Sequence, residues 1–392
     1  MRFAHRDGTT VHLAHCSNVH PAEELDDVLA QLSAVGDGLR RRLEVDRVGV
    51  GLWLPAALAA RLVAEPTSLE RLRTGLVRAG VEVVTINAFP WGGFHAPVVK
   101  KAVYRPDWTT RDRLDYTLDC ATVLARLLPD DAARGSISTL PLGWRSPWLS
   151  DRQQTAEGHL ARLEDGLAKV SADAGRPLRV GFEPEPGCVV ETTADAAERI
   201  GPSAGEHVGV CLDTCHLAVA FEDAREAVDR LTAAGLPVVK AQLAAALHAQ
   251  DPGEQATRDA LAPFVEQRFL HQVRTRTAGR LAGRDDLDEA LDGRPLATDD
   301  AWRVHVHVPL HADPAPPLRS TRDELRGTLD VLVGGERALT DHLEVETYTW
   351  SVLPDDIRPE GPEGVLDGIA AELAWARQEL LDAGLVAEGM HR

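Results

Sequence analysis

The chain has 392 residues, 44% of them hydrophobic and 26% charged, as in ordinary globular proteins, but its formal net charge is −19. So acidic a surface excludes nucleic-acid phosphate as a partner, because that binding needs basic groups to release counterions, and it does not suit an anionic membrane. No apolar run reaches the roughly 18 residues of a membrane span, no secretory segment is expected at the polar start, and five cysteines without a C-x-x-C pair fit free thiols in a reducing, cytoplasmic setting.

Strand-like and helix-like stretches alternate along the chain. Val/Leu-rich strands are predicted over 11–16, 48–54, 81–89, 135–142, 178–183, 208–213, 238–243, 304–308 and 343–348. Between them, three- and four-residue apolar spacing predicts helices over 23–43, 68–79, 110–128, 154–174, 194–200, 224–234, 321–333 and 364–383. Several of these helices stop at a glycine (Gly80, Gly175, Gly235), the usual left-handed terminus. Near-continuous apolar strands separated by helices mean a parallel sheet covered on both faces. The expected fold is a single α/β domain over 1–392, a (β/α)8 TIM barrel, with a doubly wound open sheet as the competing topology. One strand candidate is surplus, and the charged segment 266–300 breaks the rhythm. That segment is read as an insertion after strand seven, from which 304–308 returns to the same face.

The predicted strand tips carry the chemistry. Gly209-Val210-Cys211-Leu212-Asp213-Thr214-Cys215-His216 delivers a carboxylate and then an imidazole to the end of a buried strand. In parallel α/β folds such tips line the active site, and Asp with His suits a divalent metal. Asp213 can equally cap the following helix. Side chains two apart share a strand face, so Glu183 pairs with Glu185, Glu344 with Glu346, and His305 with His307. Like charges so placed repel unless a cation or proton lies between them. His15 ends the first strand in a looser version of the pattern. Lys240 and Gln242 share a face of strand seven, the first as an electrostatic partner or acid and the second as a neutral oxygen ligand. The stretch Asn87-Ala88-Phe89-Pro90-Trp91-Gly92-Gly93-Phe94-His95, continuing to Tyr104 and Trp108, reads as a long aromatic active-site loop. Cys16, Cys188 and Cys215 are expected as small pocket-wall residues. Glu183, Asp213, His216, Gln242, His307 and Glu346 are expected to converge at the barrel mouth, a donor set that favours Zn, Mn, Co or Fe over Ca.

At these residues the chain resembles the xylose-isomerase-like barrel superfamily, which includes sugar isomerases, epimerases and endonuclease IV. Asp213-Thr214-Cys215-His216 is similar to its D-x-x-H strand end, Glu183 in Phe-Glu-Pro-Glu-Pro-Gly to its central carboxylate ligand, and Glu346 to its last-strand carboxylate, with Glu344 fitting nearly as well. His305-Val306-His307 resembles the D-x-H pair of endonuclease IV with His in place of Asp. Gln242 departs from the histidine usual on strand seven, which weakens a three-zinc nuclease centre. Within the superfamily, the motifs His15-Cys16-Ser17-Asn18-Val19-His20-Pro21, Val103-Tyr104-Arg105-Pro106-Asp107-Trp108, Glu183 to Cys188, His305 to His311 and Glu344 to Trp350 resemble the EboE-type metabolite traffic proteins.

The resemblance implies a divalent metal held by Glu183, Asp213, His216, Gln242, His307 and Glu344 or Glu346. It implies isomerase or epimerase chemistry on a small metabolite, with Glu183, Glu346, His216 and Lys240 as catalytic groups. His15, Asn87, His95, Tyr104, Trp108, Glu185 and His305 are then expected to contact substrate. A non-catalytic metabolite carrier is the alternative, and an endonuclease IV-like phosphodiesterase a weaker one.

Overall fold

The computed structural model describes residues 1–292 and 296–388; positions 293–295 of the predicted insertion and the last four of the predicted domain lie outside the described residues. Strands β1 (Thr10–Cys16), β2 (Val48–Trp53), β3 (Thr85–Asn87), β4 (Gly135–Thr139), β5 (Leu178–Phe182), β6 (Val208–Asp213), β7 (Val238–Leu243) and β8 (His342–Val345) run parallel. Each pairs with the next. β8 pairs with β1, which closes the barrel. Every residue of β2, β6 and β7 is buried, because the barrel interior covers one strand face and helices cover the other.

The helices fall where apolar spacing placed them, among them Leu25–Leu43, Arg111–Leu127, Ser150–Ala174 and Gly361–Asp382. Gly80 and Gly175 take the left-handed C-terminal positions expected of them, each with φ near 65°. Ala56–Ala64 forms a further helix that the spacing did not predict. Its high alanine content favours helix but leaves little polar–apolar contrast to read. Among the described residues no helix is long and apolar enough to cross a membrane.

Between β7 and β8 lies a second, five-stranded antiparallel sheet. Its spatial order is Arg280–Arg284, Val273–Thr277, Trp302–Val308, Ala245–Ala249, Arg319–Ser320. The surplus predicted strand belongs here. The insertion is also wider than 266–300, since its first strand starts two residues after β7 ends. Ala245–Ala249 is too short and too rich in alanine to be told from a barrel strand running on. The strand Trp302–Val308 is buried along almost its whole length, and this brings His305 and His307 to the barrel mouth.

Candidate metal centre and cavity

The floor of the site is built by strand ends. Asp213, the last residue of β6, does both jobs the sequence allowed. Its Oδ1 accepts from the backbone N–H of His216 at 2.9 Å and so caps the helix Thr214–Val219. Its Oδ2 is buried and has no partner. Glu183, directly after β5, likewise has an unpartnered buried Oε2. Glu346, just beyond β8, is aimed by two amides: Asn18 Nδ2 donates to its Oε1 at 2.6 Å and Asn87 Nδ2 at 3.0 Å. One carboxylate oxygen each from Glu183, Asp213 and Glu346 lie within 4.8 Å of one another.

Three imidazoles stand beside these oxygens, and their partners fix their tautomers. His216 Nδ1 faces the carbonyl of Pro184 at 2.9 Å, and His307 Nδ1 faces the carbonyl of Glu346. His305 Nδ1 lies 2.8 Å from Gln272 Oε1. The amide orientation of Gln272 is set because its Nε2 donates to the Pro186 carbonyl at 2.8 Å and to the Tyr104 hydroxyl at 3.0 Å. All three Nδ1 atoms therefore carry the proton and all three Nε2 atoms present lone pairs, the arrangement that orients histidine as a metal ligand. His307 Nε2 has no partner, and the Nε2 atoms of His216 and His305 face each other at 3.1 Å. Two bare nitrogens at that distance repel unless a proton or a metal cation lies between them.

The electrostatics agree. Burial first, then Glu346, Asp213 and Glu185, pushes the Glu183 carboxyl well above the usual range. Burial, followed by Asp213 and Glu344, raises Glu346 to about 8, and burial raises Asp213 and Glu185. Burial lowers His216 and, with its two histidine neighbours, His305, and it brings His307 to about 4. Crowded carboxyls that resist ionising, beside imidazoles that resist protonation, mark a centre that a bound cation would relieve. The orphaned oxygens and nitrogens fit a divalent cation in number and kind.

Around the floor lies a cavity lined by Asn18, Asn87, Tyr104, Glu183, Glu185, His216, His305, His307 and Glu346, with an apolar wall of Phe89, Pro90, Phe94, Val99, Val103, Phe269, Leu270 and Tyr348. Tyr104 donates to Glu185 Oε1 at 2.6 Å. The loop after β3 and the insertion sheet meet here. The amides of Val99 and Lys100 both donate to the carbonyl of Arg268, at 2.8 and 2.7 Å.

Other predicted residues stand behind this surface. Lys240 and Glu344 are wholly buried inside the barrel and paired with each other. Lys240 therefore does not reach the cavity as a catalytic group, and Glu346, not Glu344, joins the carboxylate trio. Gln242 is buried beside them on β7, with neither amide atom partnered. Trp108 is corrected to a core residue: it packs on Phe182, with ring centroids 5.0 Å apart, and donates to the Leu140 carbonyl at 3.1 Å. His15 is also away from the cavity, buried with its Nε2 3.1 Å from that of His20, and His95 braces the Asn18 carbonyl at 2.8 Å. Gln272 carries no motif and so gave no signal in the sequence. Asn18 sat inside the His15–Pro21 motif, where its neighbours drew the reading.

The model of a xylose isomerase-like TIM barrel family matches residues 45–271, more than half of the chain. Among solved structures, a xylose isomerase-like TIM barrel protein from Mycobacterium smegmatis in complex with magnesium is similar at TM-score 0.52 and 12% identity, over 95% of this chain and 97% of that one. An L-ribulose 3-epimerase is similar at TM-score 0.51 and 11% identity, covering 95% of each chain. A D-allulose 3-epimerase from Methylomonas sp. is similar at TM-score 0.50 and 10% identity, over 97% of this chain and 100% of that one. At such identities the likeness is one of fold. No curated protein matches the chain in sequence. With the closed barrel and the matched segment together, the chain belongs to the xylose isomerase-like TIM barrel family.

Proposed function

We propose that this protein is a divalent-metal-dependent isomerase or epimerase of a small hydroxylated metabolite. The observation that carries the reading is the buried trio Glu183, Asp213 and Glu346, whose oxygens lie within 4.8 Å of one another, with Glu183 Oε2 and Asp213 Oδ2 unpartnered. Buried carboxylates without partners are costly unless a cation joins them. Glu183, Asp213 and Glu346 would hold the ion with His216 and His307 beside them and Gln242 below, a donor set suited to Mn, Co, Fe or Zn. Bound there, such an ion polarises a carbonyl or hydroxyl oxygen of the substrate. The epimerases of like fold support the choice of chemistry.

The chain's own groups supply the rest. Glu183 and Glu346 sit at the ends of non-adjacent strands and can move a proton between neighbouring carbons. Asn18 and Asn87 hold Glu346 in one orientation. The bare Nε2 atom of His305 accepts from a substrate hydroxyl, and Glu185 is kept in place by Tyr104. The long motifs around His15, Glu183, His305 and Glu346 support a finer placement among the EboE-type proteins, with a substrate drawn from secondary metabolism.

Titration of the chelator-stripped protein with Mn²⁺ tests the reading. Glu183→Gln should weaken binding at least ~10-fold. Asp213→Asn should do the same while leaving the fold intact, because asparagine caps a helix as well as aspartate. Unchanged Mn²⁺ affinity in both variants would remove the trio as ligands.

A further inference from the structure

The cavity restricts what kind of molecule can occupy it. Its floor is acidic, and the one lysine or arginine that lines it among the described residues is already engaged: Lys100 Nζ donates to Asp286 Oδ2 at 2.5 Å and to the Glu266 carbonyl at 3.0 Å. Lys240, beneath the floor, is held by Glu344. Even with a divalent ion in place, the carboxylates of Glu183, Glu185, Asp213 and Glu346 outnumber its charge, and among the described residues no unpaired lysine or arginine lines the cavity, so burying a phosphate or carboxylate of the ligand here would be unfavourable. The polar end of the ligand is therefore uncharged and hydroxylated.

The wall opposite is apolar and comes from three separate segments. Phe94 of the loop after β3, Phe269 of the insertion and Tyr348 after β8 form one aromatic cluster, with centroids 5.2, 4.9 and 5.5 Å apart. Val99, Val103 and Leu270 extend it. Aromatic rings alone would suit stacking on a sugar ring. Aliphatic side chains offer no such stacking and no hydrogen bond, and they reward only apolar surface taken out of water.

Resting on the reading of this site as a metal-dependent sugar- or polyol-type centre, we propose that the substrate is a neutral polyol or sugar carrying an apolar alkyl or aryl substituent. The hydroxylated head lies on the Glu183–Asp213–Glu346 floor and the substituent lies against the Phe94–Phe269–Tyr348 wall.

The test is calorimetric binding to the full chain loaded with Mn²⁺. The probes are glucose, xylose and myo-inositol, each free, as its monophosphate, and as its hexyl or phenyl glycoside or ether. The hexyl and phenyl members should bind at least ~10-fold tighter than their free parents, as expected for burying several methylenes or a ring, and the phosphates should bind no tighter than the parents. Phe269→Ser should abolish the preference while Mn²⁺ affinity stays unchanged. If no hexyl or phenyl member binds tighter than its parent, or if a phosphate is preferred, the proposal is overturned, though the metal-centre reading survives as long as Mn²⁺ still binds. Failure of Mn²⁺ to bind at all would overturn both.

Discussion

At the scale of single residues, two buried charges stand out. Lys240 and Glu344 face each other with no exposure to water, and Gly51 makes this possible: a Cβ at position 51 would lie 1.5 Å from Glu344 Oε1. Burial alone would lower the lysine, but Glu344 outweighs it and keeps Lys240 charged. Lys240→Met should cost about 3–5 kcal/mol in urea unfolding, because it strands Glu344. The double variant Lys240→Met/Glu344→Leu should recover most of that loss. Gly51→Ala should be destabilising for the same reason, by forcing the pair apart. Glu372 is a second case, away from the metal centre. It accepts from the Thr347 hydroxyl at 2.6 Å and the Leu310 amide at 3.0 Å, yet burial still raises it to about 8. An unfolded glutamate titrates near ~4.3. The folded state therefore binds this proton more tightly, and the stabilisation is complete below about pH 4.3 and lost as pH rises towards 8. Glu372→Gln keeps both acceptor contacts and carries no charge. Its Tm should gain on the wild type as pH rises from 5 to 8.5, by about 2–4 °C or more, and a constant difference across that range would exclude this carboxyl as the cause.

At the scale of elements, the site depends on a junction between the loop after β3 and the insertion. The loop is tied by the Val99 and Lys100 amides to Arg268 and by the Lys100–Asp286 ion pair, in which both side chains are mostly buried. Asp286 also caps the short helix Leu287–Leu291 and accepts from the His271 amide. Asp286→Asn keeps a cap but removes the charge. We expect faster amide exchange in residues 94–104, which report this junction, with little change in global unfolding, since such partly buried pairs contribute on the order of 1 kcal/mol. Uniformly faster exchange across the barrel would mean instead that the junction is part of the core.

At the scale of the whole molecule, the site is assembled from across the chain. The segment 45–271 that matches the family model holds Glu183, Asp213 and Gln242 but lacks β1, β8, His305, His307 and Glu346. A barrel without β1 and β8 leaves the edges of β2 and β7 unpaired and their apolar faces open. Residues 45–271 expressed alone should therefore show no cooperative thermal transition by circular dichroism, and a sharp transition would mean that the core is more local than the pairing indicates.

The sequence by itself determined the barrel and most of the floor. Period and burial pattern are local properties: Val-rich strands such as 208–213 and amphipathic helices such as 154–174 announce themselves within one element. The two-residue alternation of Glu183 with Glu185 and of His305 with His307 put each pair on one face. Only the tertiary structure decided which of these residues meet. Glu344 and Glu346 share a strand face and look equivalent in sequence, yet Lys240 on the neighbouring strand claims Glu344, and Asn18 and Asn87 aim Glu346 at Asp213 and Glu183. Trp108 looked like a pocket wall because it follows an aromatic loop, and it became core because its indole found the Leu140 carbonyl and the ring of Phe182 behind the strands. Gln272 fixes both His305 and Tyr104 from a sheet whose antiparallel pairings join residues as distant as Ala245 and Val308. Contacts of that kind follow from how the barrel closes and where the insertion packs, and a linear pattern carries neither.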